Sequence, residues 1–161
     1  MSPIELIALL ALTGWAIYKQ TVITEVTASG RFKMAIIYAA VGLAVGGFAM
    51  PHTAGAAALL IGGFALSAVI GLARGHYTKI WITEDGRTMR KGTALTIALF
   101  LALVAAKFAL GTLAYFLHIN DGAGFGEILF MIAIMIAVQA QIVFTRTQAL
   151  HTDARQLAHS L

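Results

Sequence analysis

Apolar runs of membrane length recur along this chain, and they limit its fold more than any other feature. A hydrocarbon core about 30 Å thick is crossed by a helix of about 20 residues. Residues 34–50, 54–73, 93–117 and 127–145 meet or approach that length with few charges inside them. A weaker fifth segment, residues 3–22, carries Glu5 near its start and Lys19 and Gln20 near its end. It spans only if the helix begins near Pro3 and runs on past Tyr18. The rival for that segment, a secretory signal, needs a basic start and a small-residue cleavage site, whereas the first basic residue here is Lys19. Composition points the same way: 60% of residues are hydrophobic and 11% charged, against about 25% charged in a soluble domain. With so little soluble sequence, and without a low-complexity linker or an internal repeat, residues 1–161 are expected to form one domain. The expected fold is an all-α integral membrane protein, a five-helix transmembrane bundle.

Short loops rich in Lys and Arg stay on the cytoplasmic side. The first loop holds Lys19, Arg31 and Lys33; the third holds Arg74, Lys79, Arg87, Arg90 and Lys91; the tail, residues 146–161, holds Arg146 and Arg155. The second loop, the fourth loop and the residues ahead of the first span hold none. Ten of the eleven basic residues therefore share one side of an alternating threading, with the N-terminus outside and the C-terminus cytoplasmic. The inner membrane is the expected location. A net charge of +4 distributed beside helix ends acts as an orientation signal and not as a nucleic-acid surface. In the tail, Leu150, Ala154, Leu157 and Leu161 recur at helical spacing, which predicts a helical extension beyond the fifth span.

Between the third and fourth spans lies the polar stretch GLARGHYTKIWITEDGRTMRKGTAL. YTKIWIT is dense in β-branched and aromatic residues, and DG is a strong turn signal, so residues 77–91 are expected to form a cytoplasmic β-hairpin. With Asp85 and Gly86 as a two-residue turn, Glu84 faces Arg87, Thr83 faces Thr88, Ile82 faces Met89 and Trp81 faces Arg90. Alternation then sets Ile80, Ile82 and Met89 on one face and Trp81, Thr83, Thr88 and Arg90 on the other. A lone hairpin is marginal in water, so its apolar face needs cover from helix ends or lipid. The hairpin serves either as a connector whose charges set topology or as a docking element for a partner protein or anionic lipid. Its docking candidates are Arg74, Lys79, Trp81, Arg87, Arg90 and Lys91.

The order ARG, a short β segment, DG, then RKGTALTIALFLALVAAKF resembles the small, mostly actinobacterial membrane proteins of the CcdC-like family, named from a gene neighbourhood linked to cytochrome c maturation. WAIYKQTVITEV and GFGEILFMIAIMIAVQAQ are similar to the same family, so the resemblance covers most of the chain. It implies a multi-span membrane protein without an established activity, and it supplies no catalytic residues.

Chemistry inside the spans centres on Lys107, well within the fourth. An intramembrane charge is costly unless paired or hydrated and is a functional-site hypothesis by default. Its candidate partners are Glu127, Glu5 and the more exposed Asp121. Two roles fit it: pairing that fixes helix packing, or a proton or solute relay. Gln139 and Gln141 are the other polar residues inside a span, two apart and so on different helix faces, suited to gluing helices together. Small residues at four-residue spacing, Gly42 with Gly46, Gly63 with Ser67 and Gly71, and Ala98 with Ala102 and Ala106, predict close helix approach within the bundle or between copies.

The chain has no cysteine, which excludes disulfides, thiolate metal sites and thiol redox chemistry of the protein itself. His52, His76, His118, His151 and His159 lie in loops or the tail, not within spans where two would grip a haem. No phosphate-binding glycine loop, nucleophile elbow or metal-binding helix motif is present. No cofactor or metal is expected. The function expected is that of a non-enzymatic accessory or assembly factor, with membrane lipid, a membrane-protein partner or a second copy as its contacts. The alternative is a small oligomeric transporter or channel using Lys107.

Overall fold

The computed structural model describes residues 3–28, 30–46, 50–116, 118 and 125–159. In chain order they form α1 (Pro3–Thr21), β1 (Thr24–Glu25), α2 (Lys33–Val41) continued by a π-helical turn (Gly42–Gly46), α3 (Ala54–Tyr77), β2 (Lys79–Ile82), β3 (Thr88–Lys91), α4 (Ala94–Phe116) and α5 (Phe125–His159). Three of these helices, α3, α4 and α5, are long and apolar enough to cross a membrane. Helix α1 has the length but is diluted by its polar C-terminal turn, Lys19 and Gln20. Within the expected span over 34–50, regular α-helix runs to Val41 and continues as a wider π turn to Gly46, and residues 47–49 lie outside the described residues. A methyl group at Gly42 would lie 3.1 Å from Leu129 Cβ and 3.3 Å from the Gly126 carbonyl oxygen, so the chain there is pressed onto α5.

Start signals for the long helices sit in the sequence. The Thr53 hydroxyl accepts from the Ala56 amide at the head of α3, satisfying one of the free first-turn donors. At the head of α4, Thr93 and Thr96 bond reciprocally through their hydroxyls and backbone amides.

The bundle is organised around α5. Its buried row of Leu129, Met131, Ile132 and Met135 joins Tyr38, Phe100 and Leu103 in the core. Against it lies the small-residue row of α3, Gly63, Ser67 and Gly71, extended by Gly75. A Cβ at Gly71 would come within 2.6 Å of the Met135 carbonyl oxygen, and one at Gly75 within 2.6 Å of Ile142 Cβ. These contacts advance together along both helices, so α3 and α5 run parallel with α4 reversed beside them. The alanine row of α4 faces the other way: Ala98 and Ala102 are exposed, and Thr96, Phe100, Leu103 and Lys107 are the residues α4 buries.

At one end the connections form a three-stranded sheet of order β1-β3-β2, not a lone hairpin. The added strand comes from the first loop, with Thr24 opposite Arg90 and Glu25 opposite Met89. The hairpin register differs by one residue from the expectation: Ile82 pairs with Thr88, Trp81 with Met89 and Ile80 with Arg90. The cause is the turn. The Gly86 amide bonds the Thr83 carbonyl, Thr83 pairs with Arg87, and Gly86 has φ +75, which is a three-residue loop closed by a left-handed glycine in place of a two-residue turn. Met89 therefore joins Trp81 on the outer face, while Arg90 and Thr88 turn inward with Ile80 and Ile82. Helix α5 runs on without a break past the expected limit of its span, and Thr88 Oγ1 and His151 Nε2 lie 2.8 Å apart, tying it to the sheet. The side chains of Ala154, Arg155 and Leu157, and the whole of Leu161, lie outside the described residues.

Candidate functional site

Two charged centres stand at opposite ends of the bundle. The one farther from the sheet is a single ion pair: Lys107 Nζ donates to Glu127 Oε1 at 2.5 Å. Helix α4 carries the lysine inward on the face that also buries Leu103, and Glu127 sits in the first turn of α5, where a carboxylate is favoured by the helix dipole. The Lys107 and Glu127 side chains are only 9% and 12% exposed, so the pair is almost dry. It is the one ion pair among the described residues. The Glu5 side chain and Asp121, the other candidate partners, lie outside them.

Beneath the sheet lies the second centre, a partly open cavity of about 80 Å³ lined by α1, α2, α3, α5 and the strands. Four cations line it: Lys19, Arg31, Arg74 and Arg90. Arg74 was expected as a surface docking residue; instead it is 1% exposed, because it shares the α3 face of Ser67, Gly71 and Gly75 and is drawn into the helix contact. Its Nη1 donates to the Met135 thioether at 3.0 Å, its guanidinium lies 5.5 Å from the Phe100 ring centre, and its Nε has no partner. Arg31 lies over the Phe32 and Phe144 rings, 4.8 and 4.4 Å from their centres, and its Nε is likewise buried and unbonded. Arg90, also expected on the outside, is turned in by the register and donates through Nε to Thr24 Oγ1 at 3.2 Å. Burial holds its guanidinium below the ordinary arginine range. Lys19 is exposed at the rim.

Polar neighbours complete the inner wall. Thr78 Oγ1 donates to the Arg74 carbonyl at 2.8 Å and accepts from Gln139 Nε2 at 3.1 Å. Gln139 is thus a buried inter-helix bond, while Gln141 faces outward and is exposed. Just outside, Arg146 Nη1 donates to the carbonyls of Gly75, His76 and Thr78 at 2.7, 2.9 and 3.0 Å, capping α3 with a cation where the helix leaves its carbonyls free. Of the docking candidates, Lys79, Trp81, Arg87 and Lys91 remain exposed.

The convergence of Arg74 and Arg90 on one cavity escapes a sequence reading that treats basic residues only as loop markers. The available signal for Arg74 was its spacing of three from Gly71 and seven from Ser67, which continues the small-residue stripe. No group of three or more metal-ligating side chains occurs among the described residues. The fold and these centres define a class, a compact bundle of apolar helices with a charged, sheet-capped end. Comparison with family models, with curated proteins and with solved structures finds no match to this chain.

Proposed function

We propose that this chain is a multi-span protein of the cytoplasmic membrane, without catalytic activity of its own, that acts as an accessory or assembly factor through its basic, sheet-capped end. The observation that carries the reading is that the first loop, the third loop and the α5 extension, which hold the basic residues, are joined into one structure. A topology signal alone needs charge on each loop but no pairing between loops. Membrane placement is supported by the outer surface. Only 22% of the apolar stretch of α3, and 22% of that of α4, is buried within the chain, and exposed aromatic residues mark both ends. Tyr115 and Phe116 stand at one end, and Tyr18, Tyr77 and Trp81 at the other, the positions that aromatic side chains favour at the two lipid–water interfaces. The five-span threading and the kinship with CcdC-like proteins belong to the same proposal.

On this reading Lys107 and Glu127 hold α4 against α5. Each satisfies the other, which suits packing better than a relay. The outward strand face, with Lys79, Trp81, Arg87 and Lys91, is the partner-facing surface. Purification of the native complex from detergent, with its subunits identified, tests this. A stoichiometric partner should be retained by Lys107→Met and lost in a Lys79→Glu, Lys91→Glu variant that melts like the parent. A partner indifferent to the strand charges, or lost only with Lys107, would reject the reading.

A further inference from the structure

The cavity beneath the sheet is electrostatically unfinished. Among the described residues, four cationic side chains line it and no carboxylate does. Acidic residues are available at this end of the molecule, yet Glu25, Glu84 and Asp85 are all exposed and none pairs with an arginine. A buried guanidinium ordinarily takes a carboxylate or several carbonyl oxygens. Beyond the Phe100 ring, the only hydrogen-bond acceptor of Arg74 is a thioether sulfur, a weak one, and its Nε is unbonded. The next guanidinium, Arg31, also keeps a buried, unbonded Nε. By contrast Arg146, on α5, takes the three carbonyl oxygens of Gly75, His76 and Thr78, which follow Arg74 in the chain. The fold can satisfy an arginine at this end and leaves Arg74 and Arg31 short of acceptors.

We propose that the cavity bounded by Lys19, Arg31, Arg74 and Arg90 binds a phosphate group, as a lipid headgroup or as a small soluble phosphate ester. Planar guanidinium forks match the oxygens of phosphate, and several convergent cations suit an anion of more than one charge. The space fits: at about 10–15 Å³ for each water-sized position, a cavity of about 80 Å³ holds one tetrahedral oxyanion with a few waters. Its walls are graded to match. Arg74, Thr78 and Gln139 form a buried floor, and Lys19 and Gly30 an exposed rim, so an anion enters past Lys19 and ends against Arg74. The neighbouring exposed rings of Tyr18 and Tyr77 set the rim at the depth of lipid phosphates. The proposal deepens the reading of the sheet-capped end as the recognition end and rests on it only for the side from which the ligand comes.

Binding is measured on the full chain in detergent, without any partner, so its outcome and that of the partner purification stand apart. The probes are inorganic phosphate, glycerol 3-phosphate, dioleoyl phosphatidate and, as the control, dioleoyl phosphatidylcholine. Native mass spectrometry and thermal unfolding provide the readouts. A one-to-one adduct and a raised melting temperature with phosphatidate, absent with phosphatidylcholine, assign the lipid source. The same result with glycerol 3-phosphate but not with phosphatidate assigns the soluble one. Arg31→Gln and Arg90→Gln should each weaken binding roughly tenfold or more, the effect of losing one charged hydrogen bond. Arg74→Met should abolish binding and raise the melting temperature of the phosphate-free protein, since it removes an uncompensated charge from a packed site. Failure of every phosphate probe to bind overturns the proposal, as does binding of unchanged strength in Arg31→Gln and Arg90→Gln.

Discussion

Lys107 and Arg74 are both cations buried on long apolar helices, and their surroundings assign them opposite consequences. Lys107 has a carboxylate at bonding distance in Glu127. Removing either member strands the other in a nearly dry contact, a loss of about 3 kcal/mol or more for a buried pair. Lys107→Met and Glu127→Gln should each lower the melting temperature in detergent, and the double variant should recover part of the combined loss. Strictly additive losses would show that the two charges are satisfied independently. Arg146 offers a second residue-scale test, because one guanidinium nitrogen serves three carbonyl oxygens at the end of α3. Arg146→Gln should cost about 1–3 kcal/mol, read as a lower unfolding midpoint; an unchanged midpoint would mean that water replaces the arginine without loss. Lys107 was legible in the sequence because a charge inside an apolar run is conspicuous. Arg74 was not, since it stands at the border of a run, and whether such a residue belongs to loop or helix contact is decided by the partner helix.

At the scale of elements, the contact between α3 and α5 depends on missing side chains. The Gly71 and Gly75 positions admit no Cβ without displacing the Met135 carbonyl or Ile142, whereas a Cβ at Gly62, on the same helix, meets nothing within 4 Å. Gly71→Ala and Gly75→Ala should each destabilise by about 1–3 kcal/mol through overpacking. Gly62→Ala should be neutral or stabilising by up to about 1 kcal/mol through helix propensity. Thermal unfolding of the three variants separates the faces, and equal effects at Gly62 and Gly71 would contradict the packing described. The row of Gly63, Ser67 and Gly71 was readable from its four-residue period, and the structure extends it to Gly75. The sheet was readable only in part. The β-branched run YTKIWIT marked β2, but the pairing of β1 with β3 joins residues such as Thr24 and Arg90, far apart in the chain, through backbone bonds that leave no local pattern. The one-residue register difference has a similar origin, since DG fits both a two-residue turn and the last two positions of a three-residue loop. Only the strand partners choose between them.

For the whole molecule the consequence is a matter of sides. β1 follows α1, and β2 and β3 follow α3, yet all three lie in one sheet, so the first and third loops share an end. His52 lies at the other end of α3, just before its capping Thr53, and is separated from the sheet by 24 helical residues, or roughly 36 Å of rise. That exceeds a hydrocarbon core of about 30 Å. Because the chain has no cysteine, single cysteines placed at Thr27, His52 and Asp85, all exposed, report sides cleanly with an impermeant maleimide. Thr27→Cys and Asp85→Cys should label together, and only after the membrane is opened, while His52→Cys should label in intact cells. The two halves of this result test different things. Thr27 and Asp85 reacting from opposite sides would break the sheet, since strands from loops divided by a bilayer cannot pair. His52 and Asp85 reacting from the same side would leave the sheet intact but remove α3 from the membrane, and with it the argument that the basic end faces the cytoplasm. Labelling of all three in intact cells would place the chain at the surface, with its apolar helices covered by another protein in place of lipid.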